Sequence, residues 1–198
     1  LRCWERVMSI SFYSVASKPD NESDREKAIA RTGILAEPHQ EKFHSILDCV
    51  RGALHARAAA ITIVYQDSTY LVSALGFDAG IYKRSSSLCA HTILSPDSLT
   101  VVPDTAADER FAGNPYVDTI EGIRFYIAAP LLDENGAALG ALCAFDQKAR
   151  EVVTEEDRAM LWELKIKAEA IVNSIRGDGE EIPKETLVAP TGVSEAER

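Results

Sequence analysis

The hydrophobic period changes twice along this chain, and that change limits the folds open to it. Before residue 56 the apolar residues recur at helical spacing. Phe43, Ile46, Leu47, Val50 and Leu54 form one stripe, the mark of a helix with a single buried face. From Ala59 onward the pattern is short and β-branched. Ala59 to Tyr65 and Thr69 to Leu75 flank the turn residues Gln66-Asp67-Ser68, and Gly76 closes the pair; this predicts an antiparallel hairpin. Arg124 to Leu132 and Ala138 to Asp146 repeat the arrangement about Asp133-Glu134-Asn135-Gly136, a strong hairpin turn. The second strand of that pair is apolar on both faces, so it is expected in the middle of a sheet. Helical spacing then returns at Leu161, Leu164, Ala168, Ile171, Val172 and Ile175. Strands joined as hairpins give an antiparallel sheet, and helices at both chain ends can share one of its faces. The fold class is α+β.

Turn chemistry places the other segments. Ser23 or Asp24 is expected to cap a short helix that runs to Thr32 and stops at Gly33. Pro38 is expected to open the second helix at its first turn. Thr154, with Asp157 three residues on, reads as a capping box for the last helix, which Gly177-Asp178-Gly179 would end. Leu99 to Val102 is a short strand stopped by Pro103. Residues 77–98 read as irregular, with a helical turn near Cys89 to Leu94. Residues 104–122, rich in Asp, Gly, Asn and Pro, form a connection of the length that usually carries function. Five strands are legible in this way. Residues 1–21 are expected to be a flexible arm, 22–176 the folded domain, and 177–198 a disordered acidic tail with little to bury.

A chain of 198 residues is long enough for one domain with a real core. Its net charge of −10 would repel a phosphate backbone, and its Lys and Arg residues do not gather into a stripe with aromatics, so no nucleic-acid partner is expected. No apolar run reaches the length of a membrane span. Val7 to Ala16 makes a poor signal peptide, because it contains Ser9, Ser11, Tyr13 and Ser14 and follows Glu5. Leu1 in place of Met suits a fragment or a processed chain. The four cysteines, Cys3, Cys49, Cys89 and Cys143, form no Cys-x-x-Cys pair and so indicate no structural zinc. They suit the reduced thiols of a cytoplasmic protein. Cys49 is expected to pack as a small hydrophobe on the apolar edge of the second helix.

Between Ser86 and Cys143, small polar, aromatic and thiol residues recur between strand-like runs, the composition of a pocket wall. The motifs are Cys89-Ala90-His91, Val102-Pro103-Asp104, Arg110-Phe111 followed by Asn114-Pro115, Arg124-Phe125-Tyr126, and Leu139-Gly140 with Leu142-Cys143. In this order, and with this succession of elements, the chain from about Glu26 to Ile175 resembles the GAF domain family. The nearest subgroup is the domains attached to bacterial and fungal sensor kinases and diguanylate cyclases. The resemblance implies an antiparallel sheet of about six strands, GAF/PAS-like, with N- and C-terminal helices on one face and a loop-covered ligand cavity on the other. The sixth strand would lie within residues 77–88. The resemblance also implies a cavity of the kind that binds cyclic nucleotides, bilins, haem or small metabolites, its occupancy passed through the terminal helices to an output domain. Bilin-binding relatives attach the pigment through a Cys directly followed by His. Ala90 separates Cys89 from His91 here, so covalent bilin is not expected, and the identity of any cofactor stays open.

The residues expected to bind the small molecule are Cys89, His91, Asp104, Arg110, Phe111, Asn114, Arg124, Tyr126 and Cys143. Cys89 and His91 suit a ligand anchor, a redox switch or half of a metal site. They equally suit a packed turn in which His91 meets a backbone carbonyl. Cys89, His91 and Cys143 together would make a zinc set only by an accident of folding, so no metal is expected, and Cys143 in a central strand suits ordinary packing. Asp104, Asp108 and Arg110 suit an ion-paired lid, with Arg110 available for an anionic group. They also suit a capped helical turn with solvated charges. Phe111, Asn114, Pro115 and Tyr116 would shape that lid. Phe125 must face opposite to Arg124 and Tyr126, so one of the two sets lines the cavity. His39, His44 and His55 read as ordinary helix residues.

The expected function is a non-catalytic sensory module. Its output would be a histidine kinase or cyclase domain elsewhere in the gene, or a two-component partner. A homodimer is expected through the terminal helices, where Met160 and Trp162 add a further apolar edge. Two rivals remain: a thiol enzyme of the free methionine sulfoxide reductase type using Cys89 and Cys143, and a dimerisation scaffold without a ligand.

Overall fold

The computed structural model describes residues 13–36 and 39–175. The element order is α1 (Glu22–Thr32), α2 (Gln40–Ala53), β1 (Ala58–Tyr65), β2 (Ser68–Leu75), β3 (Gly80–Lys83), a 3-10 turn (Arg84–Ser86), α3 (Cys89–Thr92), β4 (Thr100–Val102), β5 (Phe125–Leu132), β6 (Ala138–Asp146) and α4 (Glu155–Ser174). The six strands form one sheet in the order β3-β2-β1-β6-β5-β4, every pairing antiparallel. The strand missing from the sequence count is β3, inside residues 77–88 as the resemblance implied. At four residues it is too short to show a period, and it pairs only with β2.

Each hairpin forms where its turn residues stand. Gln66 takes a positive φ of 51° at the first turn. In the second, the Asp133 carboxylate accepts from the Asn135 and Ala137 backbone N–H groups at 2.9 and 2.8 Å. β6 lies between β1 and β5, and every residue from Ala138 to Phe145 is buried, which explains its apolar character on both faces. Alternation along the central strands creates two cores. Ala59, Ile61, Ile63, Phe125, Ile127, Leu131, Leu142 and Ala144 face the helices α1, α2 and α4. Ala58, Ala60, Val64, Tyr126, Ala128, Ala141, Cys143 and Phe145 face the long connections. Phe125 and Tyr126 therefore divide between the two cores.

The α2 stripe is buried as expected, but Cys49 is exposed. At about 100° per residue it lies roughly 120° from the centre of the stripe, beyond its edge. α1 starts after Asn21 without a side-chain cap and ends at Gly33, whose φ of 67° is left-handed. Pro38, Gly177-Asp178-Gly179 and the expected tail lie outside the described residues, as do residues 1–12 of the expected arm. Residues 13–21 of that arm are described, and Ser14 N–H donates to the Arg110 carbonyl at 3.0 Å.

The capping box of α4 is present. Asp157 N–H donates to Thr154 Oγ1 at 3.1 Å, and Thr154 N–H donates to the Asp157 carboxylate at 3.0 Å. Thr154→Ala is expected to cost about 1 kcal/mol in urea unfolding, the usual effect of losing an N-cap.

α1 is fastened to the sheet by charge. Arg25 is fully buried. It holds the Glu22 carboxylate through Nε at 2.9 Å and Nη2 at 2.8 Å, and it also donates to the Val64 carbonyl of β1. Arg84 of the 3-10 turn reaches the same carboxylate and donates to the Gln66 carbonyl at 3.0 Å. One acid thus joins the first helix, the sheet and the turn that leads into α3.

Candidate functional site

Between the sheet and the long connections lies a cavity of about 70 Å³. Its floor is β1, β2, β5 and β6, contributing Ala60, Thr62, Thr69, Leu71, Tyr126 and Cys143. Its roof comes from Phe77, Tyr82, Leu88 and Cys89, with Tyr116 and Ile123 from the connection before β5. Ser86 and Ser87 enter where the 3-10 turn meets α3. Among the described residues no charged side chain lines it. The wall is apolar, with hydroxyls and thiols set into it, the usual make-up of a small-molecule site. The volume suits a molecule of a few heavy atoms or a few waters.

One hydroxyl in this wall lacks a partner. Thr69 is 2% exposed, and its Oγ1 is buried without a hydrogen bond. A buried hydroxyl left unpaired costs about 1–3 kcal/mol, so a hydrogen-bonding group entering the cavity has a place to bind.

The polar focus of the cavity is a thiol pair. Cys89 Sγ on α3 and Cys143 Sγ on β6 stand 3.9 Å apart, both buried. Tyr126 Oη donates to Cys89 Sγ at 3.2 Å and lies 3.1 Å from Thr92 Oγ1. The neighbouring Cys143 thiol brings the Cys89 pKa down to about 7 against the effect of burial, helped by the hydroxyls of Thr62, Tyr126 and Ser87. Contact with Cys89, together with burial, pushes Cys143 up. Burial also pushes the Tyr126 phenol up, so it remains a donor at neutral pH.

Of the nine expected binding residues, the structure brings Cys89, Tyr126 and Cys143 together at the cavity. The other six lie outside its lining. His91 points the other way. Its Nε2–H donates to the Ser14 carbonyl at 2.9 Å, and its ring packs edge-on against Phe111 at 5.0 Å. Burial lowers its pKa, so the ring is neutral at pH 7. Phe111 is buried behind it as core. Asn114 donates from Nδ2 to the Ser86 carbonyl at 3.0 Å and accepts from Tyr116 N–H at 2.9 Å, so it braces the roof from behind. Arg110 is held by Asp108 through Nε at 2.9 Å and Nη2 at 2.7 Å and lies over the Phe111 ring. Arg124 and Asp104 form a two-point pair, 3.0 Å at each contact, on the surface side of the sheet end. Both arginines are thus taken up by nearby aspartates, and Asp104 and Asp108 also accept from the Ala106 and Arg110 backbone N–H groups, as capped turns would have it. Among the described residues no group of three or more His, Cys, Asp or Glu side chains is placed to hold a metal ion.

The sequence reading missed the wall supplied by β1 to β3. Ala60 and Thr62 alternate with Ile61 and Ile63, so period two marks them as a separate face. Thr69, Leu71 and Tyr82 carry no such contrast with their neighbours. Ser86 and Ser87, just before the Cys89-Ala90-His91 motif, were not among the expected binding residues.

The GAF domain profile matches residues 38–164. The chain belongs to the GAF domain family. This GAF domain is 34% identical over 143 residues to a cyclic di-GMP phosphodiesterase of Pseudomonas aeruginosa, covering 72% of this chain and 24% of that protein. It therefore spans about a quarter of that relative's length. Solved structures share the fold at lower identity. The GAF domain of an Acinetobacter phosphoenolpyruvate-protein phosphotransferase superposes with a TM-score of 0.53 at 13% identity, over 77% of this chain and 93% of that one. A free methionine-R-sulfoxide reductase of Neisseria meningitidis, solved with its substrate, gives 0.53 at 17% identity, over 82% and 95%. Among the described residues no helix is long and apolar enough to cross a membrane.

Proposed function

We propose that this GAF domain is a non-catalytic sensory module whose cavity takes a small, uncharged, mostly apolar molecule carrying one hydrogen-bonding group. The observation that carries this reading is the void beneath the roof, lined among the described residues by no charged side chain and containing a hydroxyl at Thr69 without a partner there. A purely structural scaffold has no use for either. The uncharged wall also sets this reading above a thiol enzyme acting on free methionine sulfoxide, whose ammonium and carboxylate groups would find no charged partner here. A larger ligand would have to lift the roof, and its binding energy would then be linked to that movement.

The physical route for the signal is the shared carboxylate of Glu22. Ser86 and Ser87 touch the cavity, Arg84 begins the same turn, and Arg84 is bonded to Glu22 of α1. A shift of the turn therefore pulls on a terminal helix. The output is a signalling domain such as a phosphodiesterase, kinase or cyclase, in the same polypeptide or in a two-component partner. α4, with Ile166 55% exposed and Trp162 lying under Lys165, provides the face for a homodimer.

Native mass spectrometry of freshly purified full chain tests the reading. A retained molecule of low mass and no net charge is the expected result. Leu71→Trp, which fills the void, should reduce its retention by about tenfold or more. Equal retention by the filled variant would move the ligand out of this cavity.

A further inference from the structure

We infer that Cys89 and Cys143 form a dithiol that hydrogen peroxide oxidises to a disulfide within the cavity. The sulfurs are already 3.9 Å apart, so closing to a bond of about 2 Å requires a small rotation at Cys89 or a slight shift of the four-residue helix that carries it. Both sulfurs belong to the cavity wall, so a reagent that fills the void meets them directly. Size decides the reagent. Cys89 is 7% and Cys143 2% exposed, and a void of about 70 Å³ admits peroxide but excludes a bulky disulfide such as oxidised glutathione. Tyr126 and Thr62 supply hydroxyls beside Cys89 that favour its thiolate, the form that attacks peroxide. Cys143, kept protonated, is left to act second.

The step balances. Cys89 gives up its thiol proton and attacks one peroxide oxygen. The S–O bond forms, the O–O bond breaks, and the departing hydroxide takes a proton and leaves as water. Cys89 is then a sulfenic acid. The Cys143 sulfur attacks the Cys89 sulfur, the S–S bond forms, and the S–O bond breaks. The hydroxide leaves as water with the Cys143 proton. In sum, two thiols and one hydrogen peroxide give one disulfide and two waters, with two electrons passing from sulfur to oxygen.

The disulfide ties α3 to β6 across the cavity. α3 also carries His91, whose ring holds the Ser14 carbonyl of the incoming chain. Oxidation therefore changes the ligand wall and the anchor of residue 14 together. This coupling to a signal rests on the sensory reading above; the oxidation itself does not.

The test uses the full chain with Cys3 and Cys49 replaced by serine, treated with a small excess of hydrogen peroxide. The expected product has lost two hydrogen masses and yields, on digestion without reductant, a peptide that joins Cys89 to Cys143. In Cys143→Ser the expected product carries one added oxygen mass, mapped to Cys89 as its sulfenic acid. In Cys89→Ser oxidation at Cys143 should slow by about tenfold or more. Free Cys89 and Cys143 by alkylation under denaturing conditions, after peroxide has oxidised a simple thiol in the same tube, would overturn the inference. So would a peroxide product in which Cys89 and Cys143 are each oxidised without a peptide that joins them. The mapping is done on protein that retains Cys89 and Cys143, so a variant that folds poorly does not decide it. Its failure leaves the ligand measurement untouched.

Discussion

Glu22→Ala is expected to destabilise the protein by about 3–5 kcal/mol, the range for removing one partner of a buried charge cluster, and to lower Tm by about 10 °C. Among the described residues Glu22 is the only acid paired with these two buried guanidiniums: its carboxylate meets both Arg25, fully buried, and Arg84, 5% exposed. Without it both positive charges stay inside, with backbone carbonyls as their remaining hydrogen-bond acceptors. The pH dependence gives a separate check. Burial by itself would raise the Glu22 pKa, but the Arg25 and Arg84 guanidiniums outweigh it and bring the carboxyl from 4.5 down to about 2. A carboxyl lowered on folding stabilises fully above its ordinary value and loses that contribution as pH falls through its folded value. Wild type should therefore lose stability between about pH 4.5 and 2, and Glu22→Gln, which cannot titrate, should show a shallower slope there. Parallel slopes would place the acid sensitivity elsewhere.

Gly140→Val is expected to cost about 4 kcal/mol or more, among the larger single-residue effects. Gly140 sits on β6 opposite Ile63 of β1. A Cβ at this position would lie 1.8 Å from the Thr62 carbonyl oxygen and 2.8 Å from Ile63 Cα. Both obstacles are backbone, so no rotamer relieves the clash and the two central strands must separate. Thr62 and Cys143 lie on these strands, so the cavity floor should fail with them. Urea unfolding of Gly140→Ala provides a milder variant: a loss under about 1 kcal/mol would mean that the strands can part without penalty. Gly76 is a comparable case at the end of β2. There the chain has a φ of 76° and passes Arg57 so closely that a Cβ would be 2.2 Å from its carbonyl oxygen.

Periodicity reports burial well and contact geometry poorly, and the outcome for this chain divides along that line. The α2 and α4 stripes, both hairpins and the central position of β6 were legible because each depends on one repeated local pattern. β3 was not, since four residues at a sheet edge contain too few repeats. Cys49 was misplaced because the edge of a helical stripe is an angle, and 60° is enough to reach solvent. At the site, Cys89, Tyr126 and Cys143 could be selected by residue type. Arg110 and Arg124 were selected by the same logic; ion pairing of Arg110 with a nearby aspartate was legible, but not that Asp108 takes up both its Nε and Nη2, nor that Asp104 pairs with Arg124. The opposite error hid Thr69: an ordinary strand threonine gives no local sign that its hydroxyl will be left without a partner. In the Glu22 cluster, Arg25 stands three residues on, a spacing that pairs side chains on a helix, but no spacing rule connects either of them to Arg84.

The two outermost strands, β3 and β4, have four and three residues. Each therefore offers a neighbouring molecule only a few open backbone groups, too few to template ribbon growth from the rim of the sheet. Copies of this protein that meet at high concentration should stick by their side chains and come apart again, rather than zip into fibrils.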